Sequence, residues 1–179
     1  MSLREALNNN GIYATVGAIV LLCLALGVVV WRQASQGRPA FDAAYYYDLG
    51  SDELFLDEPG QFPPIDAPSG QPGVRAHVFA CGPCPPRDEL LGKSWQQIEA
   101  STNAHVGYFE RYTDEAREVL LGRGSGDEAG DYPIVLEGRR FRLPDQQRWV
   151  SAHSSAGRRM EEQAVMRCPG DETARPCHP

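Results

Sequence analysis

The chain has 179 residues, 42% of them hydrophobic, with 14 prolines, 18 glycines and a formal net charge of −7 at neutral pH. That length suits one compact domain with an appendage. The negative balance excludes a general nucleic-acid-binding role, which needs a basic surface.

A short tail, residues 1–11, precedes "IYATVGAIVLLCLALGVVVW", residues 12–31, which carries no charged side chain. A helix of that length rises about 30 Å, the thickness of the bilayer hydrocarbon core. Tyr13 and Trp31 stand at its two ends, where amphipathic rings favour the membrane interface, and Arg32 follows. The run is longer than a signal-peptide core and no A-x-A site follows it closely. Leu22 before Cys23 does not fit a lipobox. The expectation is an uncleaved single-pass anchor in a bacterial cell membrane. The short N-terminal tail places the C-terminal domain on the periplasmic side, although Arg32 and Arg38 nearly balance Arg4 and the α-amino group.

Residues 32–39 form a polar linker in which Gly37 and Pro39 stop the helix. Residues 40–179 are expected to form the soluble domain. It begins with a hairpin, "AYYYDLGSDELFLD". Tyr45, Tyr47 and Leu49 share one side and face Leu54 and Leu56, with Gly50 supplying a positive φ in the turn. Seven carboxylates lie between Asp42 and Asp66 with no base among them. "EPGQFPPIDAPSGQPG", residues 58–73, reads as a proline-rich loop. In "VRAHVFAC", Val74, Ala76, Val78 and Ala80 alternate with Arg75, His77 and Phe79, the mark of a strand; His77 is read as an ordinary strand residue.

In "HVGYFERYTDEAREVLLG", Val106, Phe109, Tyr112, Ala116 and Leu120 recur at three- and four-residue steps, which predicts an amphipathic helix ending at Gly122. Residues 123–131 read as an acidic loop, and "YPIVLEGRRFRLPDQQRWVSA" as two or three strands with a turn at Pro144 and Asp145. Its arginines are read as a solvated surface with some internal pairing, in preference to a phosphate site. Ser154 or Ser155 caps a last helix running to Met166. The fold class is therefore α+β: a small, mainly antiparallel sheet with two or three helices behind an N-terminal transmembrane helix.

The chemistry centres on "CGPC". The motif follows a strand and matches the thioredoxin active site, where Cys81 would be the attacking thiolate, and Tyr132–Pro133 would stand in for the proline loop. Three features depart from that likeness. Ala80 replaces the tryptophan before the first cysteine. Pro85 and Pro86 follow where a long helix should open. A hairpin and a loop occupy the place of a βαβ unit. The four cysteines of the domain, Cys81, Cys84, Cys168 and Cys177, are spaced C-x2-C, 83 residues, C-x8-C. Two such pairs can close a tetrahedral structural zinc site, and they can equally form two disulfides in an oxidising compartment. Either linkage ties the C-terminal tail to the central sheet. His178, beside Cys177, is read as a tail residue, not a ligand.

The order of a short tail, one apolar helix, "YYYDLGSDELF", "PPIDAPSG", "GVRAHVFACGPC", "YFERYTDEAR", "RRFRLPDQQRWVSAHSSAGRRM" and two terminal cysteines resembles a family of uncharacterised single-pass bacterial membrane proteins. The resemblance covers nearly the whole chain. It implies that the CxxC arm and the terminal cysteines belong to one module, and it brings no activity with it. A second likeness is to pilins and pseudopilins, with Gly11 at the place of their cleavage site; Val16 stands where they carry a glutamate. No Ser-His-Asp set, glycine-rich phosphate loop or pair of carboxylates at a catalytic spacing is visible. The functional expectation is a non-enzymatic, membrane-anchored envelope scaffold or complex subunit. Its partners are the lipid bilayer and other membrane or envelope proteins, with no nucleic acid and no small-molecule substrate. The alternatives are a tethered thiol-disulfide oxidoreductase and a pilin-like subunit.

Overall fold

The computed structural model of the chain describes residues 21–22, 42–124, 128–170 and 172–179. The chain divides into two compact units, Met1–Ala40 and Phe41–Pro179, and all that follows concerns the second. Among the described residues no helix is long and apolar enough to cross a membrane. The expected span, 12–31, lies outside them apart from Leu21 and Leu22, which are helical.

The unit is α+β. Strands β1 (Ala44–Asp48), β2 (Glu53–Asp57), β4 (Pro72–Ala80), β5 (Ala104–Tyr112), β6 (Arg139–Arg142) and β7 (Val150–Ser151) form one antiparallel sheet in the order β2-β1-β4-β5-β6-β7. Two-residue strands β3 (Ile65–Asp66) and β8 (Arg175–Pro176) pair with opposite ends of β4. Among the described residues of the unit four α-helices accompany the sheet, against the two or three expected: α1 (Trp95–Ser101), α2 (Asp114–Glu118), α3 (Glu128–Gly138) and α4 (Ser155–Val165).

The hairpin forms in the expected register, with Tyr45 opposite Leu56 and Tyr47 opposite Leu54. Its turn differs in detail. The positive φ belongs to Asp52, at 63°, and not to Gly50. Asp48 explains why the turn holds. It is 1% exposed, and its Oδ1 accepts from the Gly50 and Ser51 N–H groups and the Ser69 hydroxyl, while Oδ2 accepts from the Ser69 N–H. One carboxylate thereby fastens the hairpin to the proline-rich loop.

The sheet is covered on both faces, which accounts for the alternation in β4. Val74, Ala76, Val78 and Ala80 pack with Tyr47, Leu54, Leu90, Phe109 and α1's Ile98 on one face. Phe79 faces the other way, against Tyr108, Phe141, Met160 and Ala164. Helix α4 is held there by a sequence-local device and a packing stripe. Ser154 caps it by accepting from the Gly157 N–H at 3.1 Å, and Gly157, Met160 and Ala164 form its buried side.

Three expectations are corrected. The segment 105–122, expected as one helix, opens as a strand: Ala104–Tyr112 is central in the sheet, and helix begins only at Asp114, capped by Thr113. "YPIVLEG" is not a strand but lies within α3, although Pro133 sits inside that helix. The proline-rich loop contributes the strand β3. Helix α1, not anticipated, is announced by a capping box in which Ser94 and Gln97 serve each other's backbone N–H.

Candidate functional site

The backbone of β4 ends at Ala80, and residues 81–83 turn back on themselves with Gly82 at φ 99°. Asn103 clamps this turn. Its Nδ2 donates to the Cys81 and Pro83 carbonyls at 2.9 and 2.8 Å, and its own carbonyl accepts from the Cys81 N–H at 3.0 Å. No regular helix opens from the motif. Only a 3-10 turn, Arg87–Glu89, precedes α1.

The C-terminal arm returns to the same place. After α4, the Ala174 N–H bonds the Val165 carbonyl, β8 lies beside Phe79 and Ala80, and the Cys177 N–H donates to the Val78 carbonyl at 2.8 Å. This brings all four predicted cysteines together, as two covalent pairs. Cys81 is bonded to Cys168 and Cys84 to Cys177, with Cα–Cα distances of 5.5 and 5.7 Å. The zinc expectation is thereby replaced by its rival. A sulfur committed to a disulfide has no thiolate lone pair to offer a metal. Among the described residues no group of three or more His, Cys, Asp or Glu side chains is arranged to hold an ion. Cys168 and Cys177 are buried and Cys84 is exposed.

The thioredoxin-like features do not assemble around the motif. Cys81 and Cys84 are joined to partners 87 and 93 residues away and not to each other. Tyr132 and Pro133, expected in a loop, belong to α3.

Sequence reasoning missed a second polar cluster, on the opposite face of β5 from Phe109. Glu110, with a side chain 5% exposed, accepts two bonds from Arg139, Nε to Oε1 and Nη2 to Oε2, both 2.9 Å; His77 Nε2 lies 2.7 Å from Oε2. The imidazole stacks on Tyr108 with ring centroids 4.3 Å apart. Burial alone would raise the Glu110 pKa, but the hydrogen bonds and charges of His77 and Arg139 prevail and hold it at about 2. A carboxylate so held is a poor general base. Its effect is to tie β4, β5 and β6 together. The only trace in the sequence is three polar residues on separate segments, and they become neighbours only once the strand register is known. His105 is likewise structural. It is buried, its pKa is lowered first by that burial, and its Nε2 lies 2.9 Å from the Ala164 carbonyl, joining β5 to α4.

Compared with protein-family models, with curated proteins and with solved structures, the chain matches none.

Proposed function

We propose that the chain is a non-enzymatic, single-pass membrane protein of the bacterial envelope whose periplasmic domain serves as a scaffold or as a subunit of a larger membrane complex. The observation that carries this reading is the cross-pairing of CGPC. A dithiol enzyme shuttles between a disulfide within its motif and two free thiols, and its first cysteine is activated at a helix N-terminus. Here each sulfur of the motif is spent on the C-terminal arm, and the motif opens a turn instead of a helix. Disulfides persist in oxidising compartments, which supports a domain outside the cytoplasm. The uncharged stretch 12–31 supports the anchor, and through it the bilayer is the first partner.

The test is a peptide map of the purified full-length protein under non-reducing conditions, with an insulin-reduction assay beside it. The expected result is a Cys81-to-Cys168 and a Cys84-to-Cys177 linked peptide and no reductase turnover. A Cys81-to-Cys84 disulfide in an actively turning-over protein would restore the oxidoreductase reading.

A further inference from the structure

Several arginines of the domain are partnered. Arg139 is bonded to Glu110, Arg167 to Glu99 and Arg123 to Glu118, and Arg75 and Arg117 donate to main-chain carbonyls. The side chains of Arg111, Arg140 and Arg142 make no hydrogen bond or ion pair among the described residues. Yet none of the three is freely exposed, and they are crowded. Arg111 and Arg140 are direct cross-strand partners in β5 and β6, and Arg142 shares their face two residues along, opposite Phe109. Like charges facing each other across a strand pair are destabilising.

Two of the three guanidinium groups are also held in place. Arg111 Cζ lies 4.4 Å from the Trp149 ring centroid, and Arg142 Cζ lies 5.1 Å from Trp149 and 5.2 Å from Phe109. Arg142 Nε is buried without a partner. Burial lowers the pKa of Arg111 and of Arg142, and positive neighbours add to it: Arg140 for the first, Arg111 for the second. Arg111 and Arg142 are thus partly desolvated, and each has a single carboxylate acting on it, Asp114 on Arg111 and Asp52 on Arg142.

Arg111 and Arg140 open onto a cleft of about 390 Å³ that is also lined by Trp149, Thr113 and Asp114. Among the described residues Asp114 is the one carboxylate there, and it partly offsets the charge on Arg111. Arg111 and Arg140 less Asp114 leave one positive charge in the cleft, and Arg142, which does not line it, has Asp52 as its own acidic neighbour. We propose that this cleft binds a tetrahedral oxyanion of the phosphate or sulfate type, gripped by the forked donors of Arg111 and Arg140. A guanidinium fork matches two oxygens of such an anion at once, and stacking on an indole fixes its direction in advance. The source of the anion is a phosphomonoester lipid headgroup or a free ion. The site is independent of the disulfides and of whether the chain is an envelope scaffold.

The experiment is a thermal-melt titration of the full-length protein in neutral detergent with inorganic phosphate, and with sulfate, at ionic strength held constant with chloride. The expected result is a saturable rise in Tm that chloride does not give. Arg140→Gln and, separately, Arg111→Gln should weaken the apparent affinity about tenfold each. Arg158→Gln, an exposed α4 arginine, should leave it unchanged. Without phosphate, Arg140→Gln should melt no lower than the parent, since it relieves the cross-strand repulsion. In phosphatidylcholine nanodiscs carrying phosphatidic acid, a lipid-filled site no longer responds to added phosphate, whereas a site for the free ion still does. The proposal is overturned if phosphate and sulfate act no differently from chloride, or if Arg140→Gln and Arg111→Gln respond as the parent does. It is also overturned if Arg158→Gln loses as much as they do. Should Arg140→Gln unfold, Arg140→Lys and Arg111→Gln carry the same comparison.

Discussion

Two buried carboxylates set the acid limit of this domain. Glu110 sits near 2 instead of its ordinary 4.5, and Asp48 near 2 instead of 3.8. For Asp48, burial pushes the pKa up, and the bonds from Ser69, Gly50 and Ser51 more than reverse it. A depressed carboxylate contributes stability that is complete above its ordinary value and is lost as pH falls toward the folded value. The domain should therefore weaken as the pH drops from about 4.5 to about 2. Glu110→Gln should cost about 3 kcal/mol at pH 7, because it leaves Arg139 without its counter-charge. It should also flatten the acid limb, leaving only the Asp48 part. Urea midpoints at pH 7 and pH 2.5 for parent and variant decide this: an unchanged acid limb in the variant would show that Glu110 is not the linked group. Gly107 is a residue-scale constraint of another kind. A Cβ there would stand 2.5 Å from the Ala164 Cβ and 2.7 Å from the Phe79 ring, so α4 can approach β5 only over a glycine. Gly107→Ala should cost about 1–3 kcal/mol in a urea titration. Gly60→Ala, with nothing within 4 Å of the added carbon, is the control and should change stability by less than about 0.5 kcal/mol.

At the scale of elements, Gly107 also explains what could not be read from the sequence. The pairing of β4 with β5 shifts between His77 and Val78, so that His77 faces Tyr108 but Val78 faces Val106. Gly107 is the extra residue, and it converts the two-residue step of a strand into the three-residue step from Val106 to Phe109. Both side chains lie on one face for that reason, and the spacing imitates a helix. A strand buried on both sides adds to the confusion, since its apolar residues need not alternate. The β1–β2 hairpin and α4 were legible because each carries a local signal, an alternating pair of runs and a serine cap. Helix α3 was not: "YPIV" has strand composition, and nothing local outweighs it. The four cysteines were legible as a set and their pairing was not, because C-x2-C with C-x8-C fits a metal shell and two bridges equally. The pairing makes a prediction that a shared metal does not. Loss of Cys81 or of Cys168 breaks the same bond, so the double change Cys81→Ser with Cys168→Ser should cost little more than either alone, about 2–5 kcal/mol. Cys81→Ser with Cys177→Ser opens both bridges and should cost close to the sum. Double-mutant cycles on urea midpoints separate the cases. Four equivalent cysteines with equal coupling in every combination would contradict two separate bonds.

At the scale of the whole molecule, the proposed membrane anchor raises the question of which side of the bilayer the domain would occupy. The sequence supplies an uncharged stretch of one bilayer thickness and nearly balanced flanking charge, so the positive-inside rule leaves the direction weakly determined. The disulfides supply an independent argument, because a reducing cytosol would keep Cys81, Cys84, Cys168 and Cys177 as thiols. If the domain is periplasmic, a membrane-impermeant thiol reagent added to spheroplasts should leave those four cysteines unlabelled. It should label all four after denaturation and reduction on the outside. Protease added to the same spheroplasts should digest the domain before lysis. Leu21→Arg, placed near the middle of the stretch, should oppose insertion by about 2.5–3.5 kcal/mol and release part of the protein from the membrane fraction. A domain protected until lysis, with four thiols that label without reductant, would put it in the cytoplasm. The bridges that hold its C-terminal arm to β4 would then be absent in the cell, and the arm would depend on non-covalent contacts such as β8 and the Cys177-to-Val78 backbone bond. Orientation and covalent structure thus stand or fall together, and one labelling experiment reads both.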